Sequence, residues 1–140
     1  MFNSKPIANQ LQIIMAITRQ HSQTEVHELY GKICSELLAV VQHEKSNIAD
    51  YLYLRTNETW HRFALSSGLL FWDENAAPDE EDDIEEEEAY RDLAVELELT
   101  DKVLKKIEMN NGRLNFRVED GSGFQLVDLG YGTRIELNHV

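Results

Sequence analysis

Cysteine is nearly missing from this sequence. Cys34 is alone among 140 residues, which excludes an internal disulfide framework and every zinc site built on several cysteines. Long hydrophobic runs are missing too: no window approaches eighteen apolar residues, so no membrane-spanning helix is expected. The apolar patch Leu11–Thr18 is short, interrupted by Gln12 and followed by no small-residue cleavage site, so no secretory signal is expected. The sequon Asn57-Glu58-Thr59 then carries no meaning, and a cytoplasmic location is the expectation. Apolar residues make up 42% of the chain, or about 47% with the seven glycines, which is the globular average and excludes wholesale disorder. The length suits one domain able to bury its core without a covalent staple.

Basic residues are scarce in one place only. Residues 1–72 carry six acids and six bases, and residues 102–140 carry five acids and six bases. Between them, residues 73–101 hold fifteen acids against Arg91 alone, so this stretch accounts for the whole net charge of −13. Such a field argues against direct phosphate or nucleic-acid binding, and for a basic partner or simple solubility.

Hydrophobic spacing predicts three helices. Ser4-Lys5-Pro6 reads as a helix start, followed by a face of Ile7, Leu11, Ile14 and Met15. Ser22-Gln23-Thr24-Glu25 has the capping-box spacing. Behind it Val26, Leu29, Ile33, Leu37 and Val41 recur at three- and four-residue steps, predicting a helix over about 24–43. From Ile84, the residues Tyr90, Leu93, Leu97, Leu104 and Ile107 share a third helical face, with a break allowed at Thr100-Asp101. Glu98/Lys102 and Asp101/Lys105 are spaced as i,i+4 ion pairs. Elsewhere the period is two. Tyr51–Thr56 and Trp60–Leu65 predict a hairpin about Asn57-Glu58-Thr59, and Leu69–Trp72 a third strand or a bulged continuation. Arg113–Val118, Phe124–Leu129 and Thr133–Asn138 predict a later antiparallel set. The fold class expected is α+β: one domain over 1–140, an antiparallel sheet of about five strands with helices packed on one face, and an internal acidic loop at about 73–88.

No catalytic residue, cofactor or metal site is expected. Cys34 falls among apolar helical positions, where burial raises its pKa and suppresses its reactivity. There is no nucleophile elbow, and Gly121-Ser122-Gly123 joins two strands instead of cradling phosphate before a helix. The five histidines are scattered, and Asp79–Asp83 lacks the glycine and alternating spacing of a calcium loop. Acid–base catalysis needs two carboxylates in unlike environments, whereas eleven acids within 73–88 are solvated and equivalent. What remains is a surface. Asp79, Glu80, Glu81, Asp82, Asp83, Glu85, Glu86, Glu87 and Glu88 are the candidate partner-binding residues, with Trp72 beside them as an aromatic anchor or, equally, a core side chain.

Three features together resemble the YezG-like group of small bacterial immunity and antitoxin proteins. They are Glu28-Leu29-Tyr30-Gly31-Lys32-Ile33, then Tyr51-Leu52-Tyr53, then Arg113–Val118 with Asp120-Gly121 and Phe124–Asp128. The resemblance covers about residues 24–130 in pattern and order, and it transfers no individual functional residue. It implies a non-enzymatic inhibitor that binds a cognate basic toxin domain, typically a nuclease, and acts as a monomer or weak dimer. An acidic adaptor or chaperone-like module with a non-toxin partner is the alternative from the residues themselves.

Overall fold

The computed structural model describes residues 17–21, 23–43, 46–80, 84 and 87–137. Over these residues the protein is built almost wholly of antiparallel strands. In chain order they are β1 (Ile17–His21), β2 (Gln23–Glu25), β3 (Glu36–Val41), β4 (Ile48–Thr56), β5 (Thr59–Ser66) and β6 (Leu69–Glu74). There follow β7 (Ala89–Asp92), β8 (Leu104–Asn110), β9 (Arg113–Val118), β10 (Gly123–Asp128) and β11 (Thr133–Leu137). Among the described residues, helix is confined to a 3-10 turn at His27–Leu29 and the four-residue α1 (Leu93–Glu96).

β4 organises the sheet. Along one edge it pairs with β3, from Glu36 opposite Arg55 to Val41 opposite Ala49. Its other edge is shared: Leu52–Thr56 face β5, and Ile48-Ala49 face β11. The sheet therefore forks. One arm runs β4–β5–β6–β1, with β7 added outside β3. The other runs β11–β10–β9–β8 and comes back on itself through residues 26–34. Val26 N–H donates to Ile107 O (2.9 Å), Gly31 N–H to Leu104 O (2.9 Å) and Cys34 N–H to Lys102 O (2.8 Å), with a bridge from Ile33 to Val103. Residues 26–34 lead straight into β3, so β3–β4–β11–β10–β9–β8 forms a closed ring of hydrogen-bonded neighbours. Closure removes exposed edges from that part of the sheet. Inward residues of alternate strand positions fill it, among them Leu37, Leu54, Ile107, Phe116 and Phe124, with the last two rings stacked 5.1 Å apart.

The expected α+β architecture is overturned: among the described residues no helical layer covers a five-strand sheet, and a single sheet of eleven strands takes its place. The expected helix over 24–43 is β2, a 3-10 turn and β3. Gly31, at φ +87°, breaks any helix there, and the three- and four-residue spacing joins two unlike segments. Within β3 the buried Leu37, Ala39 and Val41 repeat every two residues. The expected helix from Ile84 is β7, α1 and β8. Asp92 caps α1 by accepting from Val95 N–H, but Glu98 (φ 57°) and Asp101 (φ 67°) are left-handed and stop the chain near the allowed break. The i,i+4 ion pairs are therefore absent there, and Lys102 reaches Asp120 at 2.6 Å. The expected first helix lies outside the described residues. The two hairpin regions stand as strands, and Leu69–Trp72 is a strand, β6.

Candidate functional site

The acidic connection between β6 and β7 crosses one arm of the sheet. β6 lies three strands from β7's neighbour, so β5, β4 and β3 stand between the two strands that the connection joins. Outward-facing residues form a row across this arm: Asp92, Leu38, Tyr53, Arg62 and Asp73 stand opposite one another on β7, β3, β4, β5 and β6. Inward alternates on the same strands, such as Leu37, Leu54, Phe63 and Trp72, belong to the core. Val40 and Tyr53 are buried although they stand outside the core cluster. The connection is bonded to its surroundings where it is described. Ala76 N–H donates to Trp60 O (3.1 Å) at its start, and Tyr90 O–H donates to the Asp79 carbonyl (2.6 Å) farther along.

Charges beneath the connection are paired. The Arg62 guanidinium donates through Nε to Asp73 Oδ2 at 2.9 Å, closes an ion pair with it through Nη2, and lies 4.9 Å above the Tyr51 ring. Burial opposes the Arg62 charge, but hydrogen bonds to Asp73 and Tyr53 outweigh it and hold its pKa above the ordinary value. The Tyr53 hydroxyl is pushed up mainly by burial, with the Arg62 hydrogen bond opposing and the nearby Asp79 charge adding to the rise. Arg91, the single base of residues 73–101, fastens the far end. It grips Glu96 through Nε (3.2 Å) and Nη2 (2.6 Å), and its Nη1 donates to Ser46 O (3.0 Å) and Asn47 Oδ1 (2.8 Å).

Of the candidate partner-binding residues, Asp79, Glu80 and Glu87 are exposed and Glu88 is half-buried. Glu81, Asp82, Asp83, Glu85 and Glu86 lie outside the described residues. Trp72 stands apart from them. It is 2% exposed, stacks near-parallel on Phe63 at 6.3 Å, and donates from Nε1 to His61 Nδ1 at 3.0 Å. That bond requires the imidazole to carry its proton on Nε2, and burial first, with the Lys32 charge second, lowers the His61 pKa. Cys34 is buried, though between β2 and β3 and not on a helix. Burial and the charges of Asp92 and Asp101 push its thiol up to about 12. Among the described residues no group of three or more His, Cys, Asp or Glu is placed to hold a metal ion, and no helix is long and apolar enough to cross a membrane.

Sequence reasoning passed over Tyr51, Tyr53, Arg62 and Arg91. A signal was present for the first three: alternation through 51–56 and 60–65 puts two tyrosines and an arginine on the polar face of one hairpin. No family model matches the chain, and neither a curated protein nor a solved structure is similar to it.

Proposed function

We propose that this is a non-enzymatic immunity protein or inhibitor that binds and neutralises a basic toxin domain, nucleases being the first candidates, through the acidic connection. One observation carries the reading. The most acidic stretch of the chain is tied down on both sides, at Ala76 before it and at Tyr90 and Arg91 after it. Carboxylates concentrated between such anchors give a strong negative field, which speeds encounter with a cationic cleft and stands in for the phosphates of its substrate. Action in the cytoplasm, where a producing cell needs protection, belongs to the same proposal.

The test converts Glu80, Glu81, Asp82 and Asp83 to their amides and follows association with basic toxin domains, nucleases first. Association at low ionic strength slows by about tenfold or more, and the gap closes as salt is added, because charges are screened over about 10 Å at 0.1 M. A wild-type rate at low salt would leave these acids as a solubility device only. Weak binding that salt does not change would favour an adaptor working through apolar surface.

A further inference from the structure

β4 carries one residue more than β3 across their pairing. Val40 stands opposite Tyr51 and Val41 opposite Ala49, so Asp50 is the extra residue of a β-bulge. The bulge sits at the fork, where β5 gives way to β11 along the same edge. Bulges bend a strand and re-aim its side chains, and the effect is visible here. Tyr53 and Val40 are buried, but Tyr51 is 40% exposed. Asp50 is half-buried, and its carboxylate makes no hydrogen bond or ion pair among the described residues. Asp50 and Tyr51, with Ala64 and Thr133, line a notch of about 10 Å³ at the fork.

We propose that this bulge is a seat for a guanidinium, taken in the complex by an arginine of the basic partner; the partner's charge rests on the functional reading above. A planar guanidinium stacks on an aromatic face while its edge donates to a carboxylate, and a compact ammonium does the first poorly. The protein already uses this mode at the same ring, where Arg62 lies over Tyr51. Asp73 neutralises Arg62, so the resident cation does not repel a second one. Asp50 supplies the unpaired carboxylate, and the negative field of residues 73–101 draws the cation in.

The experiment uses the full chain, isotope-labelled, with two kinds of probe. Nα-acetylarginine amide should shift the backbone amides of Asp50, Tyr51 and Ala64, and Nα-acetyllysine amide should not. At low salt an oligoarginine should bind about two- to fivefold tighter than an oligolysine of equal length. That preference should vanish in Tyr51→Leu. Asp50→Asn should weaken oligoarginine binding more than Glu80→Gln does, a second readout that does not depend on the Tyr51 variant folding well. An unchanged arginine preference in both bulge variants, or arginine-amide shifts confined to other residues, overturns the seat and leaves the acidic surface standing. Failure of both peptides to bind, with the arginine amide still shifting Asp50 and Tyr51, upholds the seat and removes the acidic surface.

Discussion

Replacing Trp72 with Phe separates a packing role from a binding one. The substitution removes the donor that pairs His61 Nδ1, leaving a buried acceptor unpaired, which costs about 1–3 kcal/mol. It also shrinks a ring stacked on Phe63, losing part of the about 3–5 kcal/mol that full truncation of a buried Trp costs. Together these predict a loss of about 2–4 kcal/mol in urea denaturation, with the m-value unchanged and the association rate of the folded fraction unaltered. The pair also sets a pH dependence. In the unfolded chain His61 gains a proton near pH 6.5, about the free-histidine value. In the folded protein burial, and then Lys32, defer that step to lower pH. The stability tied to a neutral His61 is therefore intact above about pH 6.5. It declines as pH falls below that toward the folded value, by at most about 1.4 kcal/mol per pH unit. Comparing wild type with His61→Leu at about pH 7.5 and about pH 5.5, either side of the free-histidine value, subtracts every other titrating group. The wild type should lose more stability over that interval than the variant. A Trp72→Phe loss under about 0.5 kcal/mol, or equal acid losses in wild type and His61→Leu, would refute the reasoning.

Leu37 is fully buried in the ring, so Leu37→Ala should lose about 2–5 kcal/mol in thermal or urea unfolding; a loss below about 0.5 kcal/mol would put that side chain outside the core. Cys34, with its thiol raised to about 12, should resist a thiol reagent at about pH 8 and react only on unfolding. Rapid native-state modification would mean that the ring opens at its 26–34 closure.

Pairing between neighbours in sequence was legible; pairing across the chain was not. The β4–β5 hairpin announces itself through alternation and the Asn57 turn, where φ is +59°. The Asp120–Gly123 loop likewise marks β9–β10, whereas β8 is concealed by the helix-like spacing of Leu104 and Ile107. The segments whose local pattern misleads are the ones whose partners lie far away. Residues 26–34, a 3-10 turn and irregular backbone, are held in place by their bonds to residues 102–107, and Tyr30 reaches Ile107 across 77 positions. The Tyr30 hydroxyl both donates to Ile107 O (3.2 Å) and accepts from Ile107 N–H (3.1 Å). Nothing in the local pattern of Val26, Leu29 and Ile33 distinguishes this from a helix face, because apolar residues that fill a ring from a bent segment also recur irregularly. At the site, the acid count was plain in the sequence. That Trp72 turns inward and Tyr51 outward depended on the strand register and on the Asp50 bulge, neither of which composition reveals.

The acids occupy the long connection between β6 and β7, and this fixes how salt acts on the protein. The hairpin turns β4–β5, β5–β6 and β8–β9 are two residues each. The β6–β7 connection has the length to hold like charges without burying them. Two unit charges about 7 Å apart in water repel by about 0.6 kcal/mol, so a run of neighbouring carboxylates opposes its own crossing by a few kcal/mol at low ionic strength. The Ala76, Asp79–Tyr90 and Arg91 contacts offset that repulsion from the two ends. The screening length falls to about 8 Å at 0.15 M salt. Raising sodium chloride from about 0.01 to about 0.15 M should therefore stabilise the free protein, by about 1 kcal/mol, while weakening its hold on a basic partner. The opposite signs are the informative part, because the same carboxylates act in both. Unfolding scans across the salt series check the first half, and the tetra-amide variant should show a smaller gain than wild type. A salt response equal in wild type and variant would place the repulsion elsewhere, and these acids would then contribute to neither the strain of the free chain nor its relief by a cation.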